Sequence, residues 1–457
     1  MSEDQEQRLL QVTEQDLSFS HHEEISELTL DQAQGLVQRY YNGENTSKLI
    51  LDFDLTCRPS QLYQWLPPVT LESCDNCDEG TIICDRPSKG KKDHNYLEAA
   101  YCFSCGHQPY TWCKCAICQA KREEEARRQR EEKVRLIRET YDLDQLSPIA
   151  LEKLTVRDRI YLAALIRMGM DENLEMTIPM NEWAEDLTPS GTNDLDVLRY
   201  LVRRQIISPH PNSSLNAFTD NDDTPFPRVY YLNAVGYHVN VDIFRANRRV
   251  SIEMLSSPSM RDLFMTSEID DFVDGLLELW IEIAIGEALE YLEMKLRKVN
   301  LIKGGLPDKN RAELIFTDLL KDYSTAHLYN FIFRSVKDGL HFQAEKGIRS
   351  SEKIVKFIVG RCRTLAERAL AEGWEIKAFR RDYGFQQSVL GGLLYNKVLR
   401  LGEKAFELIP NINSIGSAVD LHIQDFKSKQ EVASSQEEDE SEDSRNDQDA
   451  ETTSNVD

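Results

Sequence analysis

The 457 residues contain no run of eighteen apolar side chains, which leaves no candidate for a membrane-spanning helix. The longest apolar patch, 276–285, is interrupted by Glu278 and Glu282. The first fifteen residues lack both the basic start and the apolar core of a secretory signal, so a cytoplasmic location is expected. No G-x-x-x-x-G-K-[ST] loop is present, which argues against a P-loop ATPase. Cysteine is sparse outside one window: eight of the ten lie between Cys74 and Cys118. Cys57 and Cys362 stand apart and read as small buried side chains. In a reducing compartment, clustered cysteines point to metal rather than to disulfides.

Positive charge is also in short supply, with 54 basic against 78 acidic residues and a net charge of −24. That balance argues against a polyanionic partner until its distribution is considered. Residues 431–457 hold eleven acids and one base, and residues 1–30 hold eight acids and one base. The rest of the chain is therefore only about −7, by the same count. Residues 1–28 and 430–457 are expected to be disordered, because few apolar side chains are there to offset the entropy of ordering. The acidic tail can solubilise the chain, mimic DNA or shield a basic face.

Between these ends the pattern is mostly α and multi-domain. Leu30, Ala33, Leu36, Val37, Tyr40 and Tyr41 recur at helical spacing until Asn42-Gly43, and Leu49, Ile50 and Phe53 mark a second helix. A third is expected over 56–66, with Pro59 in its first turn and Pro67-Pro68 as its stop. Three short helices make 29–69 a candidate helix-turn-helix. Residues 70–118 follow as a cysteine region and 119–146 as a charged connector helix with acids and bases four apart. In 147–245, Thr155 can cap a helix through Ile160, Leu162, Leu165 and Ile166, with further helices at 181–187 and 192–205. Two β-rich runs close the segment, at 228–232 and 235–241, which is the order of a winged helix. Residues 257–410 read as an all-helical domain with helices near 269–299, 309–323, 326–345, 351–372 and 385–408, suited to self-association or to a protein partner.

The strongest signal is chemical. Cys74-Asp75-Asn76-Cys77 and Cys102-Phe103-Ser104-Cys105 are two C-x-x-C pairs, and two such turns supply the four thiolates of a closed tetrahedral zinc site. Gly80 and Gly106 follow the pairs and fit the turns, while 81–83 and 97–101 would form a ribbon hairpin. Cys113, Cys115 and Cys118 make a looser second set, with Cys84, His94 or His107 as the fourth ligand. An alternative pairing uses Cys102, Cys105, Cys115 and Cys118. One or two structural Zn²⁺ ions are expected. A redox role for the pairs would need a thioredoxin-like βαβ context.

Tyr40-Tyr41-Asn42-Gly43-Glu44, then Leu49-Ile50-x-x-Phe53, then Pro59-Ser60-x-Leu62-Tyr63-x-x-Leu66-Pro67-Pro68 and the cysteine pair resemble the helix-turn-helix plus zinc-ribbon proteins of bacterial mobile elements and antiviral defence loci. The resemblance covers about 29–118 and implies a DNA-associated role without a particular reaction. On a recognition helix over 56–66, Arg58, Ser60, Gln61 and Gln64 are the polar side chains suited to base edges. Lys89, Lys91 and Lys92 are candidates for phosphates, as are Arg199, Arg203 and Arg204 in the winged segment, with Thr192 and Asn193 beside them and Arg228 near the wing.

Two enzyme motifs also occur. Asp52-Phe53-Asp54-Leu55-Thr56 resembles the D-x-D-x-T of haloacid-dehalogenase-like phosphatases, but the βαβ alternation which that fold needs is missing. Arg334 and His341 stand as R-x6-H on an expected helix, resembling the motif of helical HEPN ribonucleases, in which the His would be the acid–base group and the Arg would stabilise charge. The leading expectation is a non-enzymatic, zinc-dependent DNA-binding or adaptor protein. The alternatives are a ribonuclease using Arg334 and His341, or a protein-interaction scaffold.

Overall fold

The computed structural model describes residues 3–77, 80–91, 96–109, 112–242, 248–266, 269–382 and 384–419. Lys92, His94 and the tail 430–457 lie outside the described residues. The chain is mostly helical and divides into two compact units, 1–134 and 135–457.

In the first unit, Thr29 and Gln32 form a reciprocal capping box that starts the helix Leu30–Tyr41. Its Ala33, Leu36, Val37 and Tyr40 face inward. Gly43, at φ +87°, turns the chain into the helix Thr46–Asp52, capped by Asn45. Asp52 thus sits on a helix, where it accepts a hydrogen bond from Arg39, and not at the end of a phosphatase strand. The expected helix over 56–66 is reduced to one turn, Leu62–Trp65. The residue before Pro59 is disfavoured in the helical region, and burial of Cys57, Leu62 and Leu66 already anchors the segment.

The N-terminal residues depart from expectation. Within 1–28 the chain forms helices Glu3–Leu10, Glu14–Ser18 and Glu23–Ser26, and Leu9, Val12 and Ile25 are buried. The cause is Arg86, whose side chain is fully buried. Its guanidinium donates to the carbonyls of Pro67 (2.8 Å), Gln11 (2.7 Å) and Leu9, and it pairs with Asp16 at 3.4 Å. Asp16 also accepts from the Thr70 amide and hydroxyl, both at 2.7 Å, and from the Thr13 amide at 3.0 Å. The buried Arg86–Asp16 pair and its hydrogen bonds thus hold this acidic segment in place, together with the burial of Leu9, Val12 and Ile25.

The helix Ala116–Thr140 begins in the first unit and ends in the second, carrying ion pairs such as Arg127–Glu131 at 3.3 Å and Arg135–Glu139 at 2.8 Å. In the second unit, Thr155 caps the helix Val156–Met168 in a box with Asp158. Where a helix was expected at 181–187 there is only a 3-10 turn, Met180–Glu182, tied down by the Trp183 indole on the Ile178 carbonyl at 3.0 Å. The helix Asp194–Arg203 follows. A strand Ile207–Pro209 pairs antiparallel with Tyr237–Val239, and between them Phe218–Asn221 and Thr224–Tyr230 form a hairpin.

The separation expected between 147–245 and 257–410 is not a boundary between cores. Ile160, Leu198 and Tyr237 share one apolar cluster with Leu276, Trp280 and Leu393. The helix Ile269–Lys298 is apolar on most sides, and its later residues, from Ala284, enter a second cluster with Phe316, Phe331 and Ile358. Helices Lys309–Leu319, Thr325–Lys346 and Ser351–Glu372 match expectation. The helix expected over 385–408 is instead broken into Val389–Gly392, a π-helical turn Leu393–Val398 and Lys404–Glu407, with Arg400 and Gly402 at positive φ. Among the described residues no helix is long and apolar enough to cross a membrane.

Arg86→Ala leaves Asp16 buried without its cation and strips the carbonyls of Pro67, Leu9 and Gln11 of a donor. The expected loss is about 3–5 kcal/mol of stability in the first unit, read as a lowered melting transition with early proteolytic release of the N-terminal helices. An unchanged melt and cleavage pattern would remove the clamp from the account.

Candidate metal centre

The first unit carries a three-stranded antiparallel sheet, β1 (Val69–Ser73), β2 (Thr81–Cys84) and β3 (Tyr101–Cys102), in that order. Val69 opposes Cys84 and Thr70 opposes Ile83 across β1 and β2, while Ile82 opposes Cys102 across β2 and β3. β1 went unforeseen, although Val69-Thr70-Leu71 is a β-rich run, because Pro67-Pro68 reads as a stop. The strand expected over 97–101 is a 3-10 turn, Tyr96–Ala99, followed by the short β3.

This sheet places Cys74 and Cys77 in the turn leaving β1 and Cys102 and Cys105 in the turn leaving β3. The four sulfurs all lie within 4.8 Å of one another. Cys74 Sγ is 3.9 Å from Cys105 Sγ, and Cys77 Sγ is 3.6 Å from Cys102 Sγ. A zinc ion with Zn–S bonds of about 2.3 Å sets its sulfurs about 3.8 Å apart on each tetrahedral edge. A disulfide would hold them at about 2.05 Å. The spacing therefore fits a shared cation and not paired disulfides.

The backbone completes the cradle. The Asn76 amide donates to Cys74 Sγ at 3.3 Å, and the Cys74 amide is anchored on the Gly80 carbonyl at 2.7 Å. A Cβ on Gly80 would come within 2.4 Å of both Cys77 Sγ and Cys102 Sγ, so only glycine fits. Gly106, at φ +69°, turns the chain so that the Cys102 amide meets the His107 carbonyl at 2.7 Å. The neighbouring sulfur of Cys105, burial, and the sulfurs of Cys102 and Cys74 push the Cys77 thiol up to about 12. Four thiolates this close cannot all hold charge without a cation among them.

A second set gathers His107, Cys113, Cys115 and Cys118, again with all ligand atoms within 4.8 Å. His107 Nδ1 lies 3.3 Å from Cys118 Sγ, close to the roughly 3.5 Å edge expected for mixed N and S ligands on zinc. The amides of Gln108 and Cys115 both donate to Cys113 Sγ at 3.3 Å, and that of Cys118 donates to Cys115 Sγ at 3.5 Å. Burial alone would raise the Cys113 thiol, but these amides, with Cys115 and His107, bring it down to about 6. Cys118 sits in the first turn of the helix Ala116–Thr140, so this set fixes the start of that helix. Sulfur and imidazole in sets of four, with no ligand position left over, suit zinc in a structural role.

Several candidates are settled by these positions. Cys84 is not a ligand: it is buried in β2, its thiol is pushed up to about 12 by burial, and it donates to the Asp85 carbonyl. The pairing of Cys102 and Cys105 with Cys115 and Cys118 is not the one formed. Cys57 and Cys362 are buried away from both sets, as expected.

The residues considered for DNA separate into two groups. Arg58, Ser60, Gln61 and Gln64 are exposed, as are Lys89 and Lys91 on the turn Lys89–Lys91, where Lys89 also reaches the Glu44 carbonyl at 3.3 Å. In the second unit, Arg203 is exposed, but Arg199 pairs with Asp196 and Arg204 with the buried Asp158 at 2.8 Å. Arg204 thus serves the cap of the helix Val156–Met168. Thr192 is exposed, and Asn193 Oδ1 accepts from Lys309 at 3.1 Å. Arg228 is exposed, but the tip of its hairpin carries exposed Asp220, Asp222 and Asp223. Arg334 and His341 are exposed on the helix Thr325–Lys346, with Arg334 lying over the Trp374 ring at 5.8 Å. Arg86 was missed because a lone arginine between Asp85 and Pro87 carries no local sign of burial.

No protein-family profile matches the chain, and no curated protein or solved structure is detectably similar to it.

Two zinc ions per chain are expected by elemental analysis of protein grown with zinc. Cys77→Ser and Gly80→Ala should each lose the first ion and keep the second, and Cys115→Ser the reverse. Because structural zinc contributes about 10–16 kcal/mol to such folds, a strong chelator should unfold the first unit. Retention of both ions in Cys77→Ser would refute the ligand assignment.

Proposed function

We propose that this chain is a zinc-dependent DNA-binding or adaptor protein that acts without catalysis, of the kind found in bacterial mobile elements and defence systems. The observation that carries the reading is the pair of four-ligand sets in the first unit, each able to hold a metal ion and flanked by short helices. The sheet and its two C-x-x-C turns support a zinc ribbon. The order helix, turn, helix, strand, hairpin, strand in 147–242 supports a winged-helix relation for that segment.

Charge assigns the contact to the first unit. In the winged segment the acidic hairpin tip opposes phosphate, and Arg199 and Arg204 are held by carboxylates. The exposed Arg58, Ser60, Gln61 and Gln64 are suited to base edges, and Lys91, with Lys89 beside it on the Glu44 carbonyl, to phosphates. One helical turn, about 6 Å long, is too short to fill a major groove. The contact is therefore made by a loop and turn held rigid by the metal module. The helical part of the second unit serves self-association or a protein partner. The ribonuclease reading has less behind it: Arg334 lies against Trp374, and no hydrogen bond joins it to His341 among the described residues.

Fluorescence anisotropy with duplex DNA tests the reading. The double variant Arg58→Ala, Gln61→Ala is expected to bind at least about tenfold more weakly, as loss of bidentate base contacts implies. Lys89→Ala with Lys91→Ala should flatten the salt dependence by about two units of slope. Wild-type protein with both zinc ions and no affinity for any duplex above the background of a DNA-free control would leave the scaffold role instead.

A further inference from the structure

Helices Lys309–Leu319 and Ser351–Glu372 pack side by side. Along their junction runs a groove of about 600 Å³, within the range of small-molecule sites. Helical periodicity builds both walls. Arg311, Leu314 and Ile315 fall at i, i+3 and i+4 on one helix, and Lys356, Gly360 and Arg363 at i, i+4 and i+7 on the other.

The charge of this groove is unlike that of the chain. Arg311, Lys356, Arg361 and Arg363 line it, and no carboxylate does, in a protein whose net charge is −24. Three of the cations are braced by acids that do not line the groove. Lys356 meets Glu352 at 2.7 Å, Arg361 meets Asp338 at 2.8 Å, and Arg363 meets Asp318 at 3.5 Å and Glu367 at 3.8 Å. As at Arg199 and Arg204, these pairs offset part of each cation's charge, but they leave some N–H groups of each side chain over for a ligand. Arg311 has no acidic partner among the described residues. Gly360 lies opposite Arg311, so the two walls meet closely at this point.

The groove is also apolar in part. Leu314, 72% exposed, offers an apolar contact on one wall. Phe357 is held by stacking on Phe342 at 4.3 Å between centroids. Clustered guanidinium groups beside an exposed leucine and a fixed aromatic ring call for a ligand with phosphates at one end and a flat apolar group at the other.

We propose that this groove binds a nucleoside polyphosphate, with its phosphates on Arg311, Lys356, Arg361 and Arg363 and its base against Leu314 and Phe357. The site is independent of the DNA reading. Its cations are confined to one groove, which suits a small ligand better than a polymer.

Calorimetric titration of the full-length, zinc-loaded protein tests this with ATP, tripolyphosphate and adenosine as probes. ATP is expected to bind in the micromolar range, tripolyphosphate at least about tenfold more weakly, and adenosine not measurably. Arg311→Glu with Lys356→Glu should weaken ATP at least about a hundredfold, with an unchanged circular dichroism spectrum. Leu314→Glu alters an exposed position and should abolish the preference for ATP over tripolyphosphate, so the test survives if the double variant does not fold. Four results would overturn the proposal: no binding of ATP at millimolar concentration, equal affinity for ATP and tripolyphosphate, undiminished binding in the folded double variant, or displacement of ATP by a single-stranded oligonucleotide at equal phosphate concentration.

Discussion

The cysteine turns of the first unit bring sulfurs so close that their thiolates would repel one another without a shared cation. Seven cysteine sulfurs and one imidazole nitrogen converge in two groups from short turns and a helix start. The apolar cluster beside the first group contains seven buried residues, and three of them are cysteines. The short helices have their own apolar cluster around Leu36, Leu49 and Leu62, but the cysteine turns have little beyond these seven residues, and structural zinc would supply the missing stability there. Ions held there would fix the positions of the β1 and β3 turns and of the start of the helix Ala116–Thr140. Arg86, just after β2, ties the acidic N-terminal segment to the rest of the unit through backbone carbonyls and Asp16.

Charge in this protein is organised locally rather than by its total. An overall excess of acid coexists with exposed polar side chains at Arg58, Ser60, Gln61 and Gln64, a lysine turn at Lys89–Lys91 and a groove between two later helices whose charged lining residues are all cations. In the second unit, arginines that look available in sequence are committed to structure: Arg204 holds the capping carboxylate of Asp158, and Arg199 pairs within its own helix. Exposed acids at the tip of the hairpin, Asp220, Asp222 and Asp223, add negative charge to the same segment.

Spacing chemistry was legible in the sequence, and long-range burial was not. The C-x-x-C pairs identify the first ligand set because two thiolates on one tight turn have few other uses. The fourth ligand of the second set was not legible: Cys84, His94 and His107 were all near enough in sequence, and it is the pairing of β2 that buries Cys84 and the Gly106 turn that delivers His107. Thr155 announced its helix through a local box with Asp158. The order of 1–28 had no such sign, because it rests on an arginine some seventy residues away. The segment 385–408 was misread for the opposite reason: its apolar period is real, but Arg400 and Gly402 adopt left-handed backbone that interrupts the helix.

X-ray absorption at the zinc edge bears most directly on the central claim. The ligand sets require, averaged over two ions, seven sulfurs to one nitrogen, with sulfur near 2.3 Å and nitrogen near 2.0–2.1 Å. A shell dominated by oxygen or nitrogen, or protein with no zinc edge at all, would contradict it.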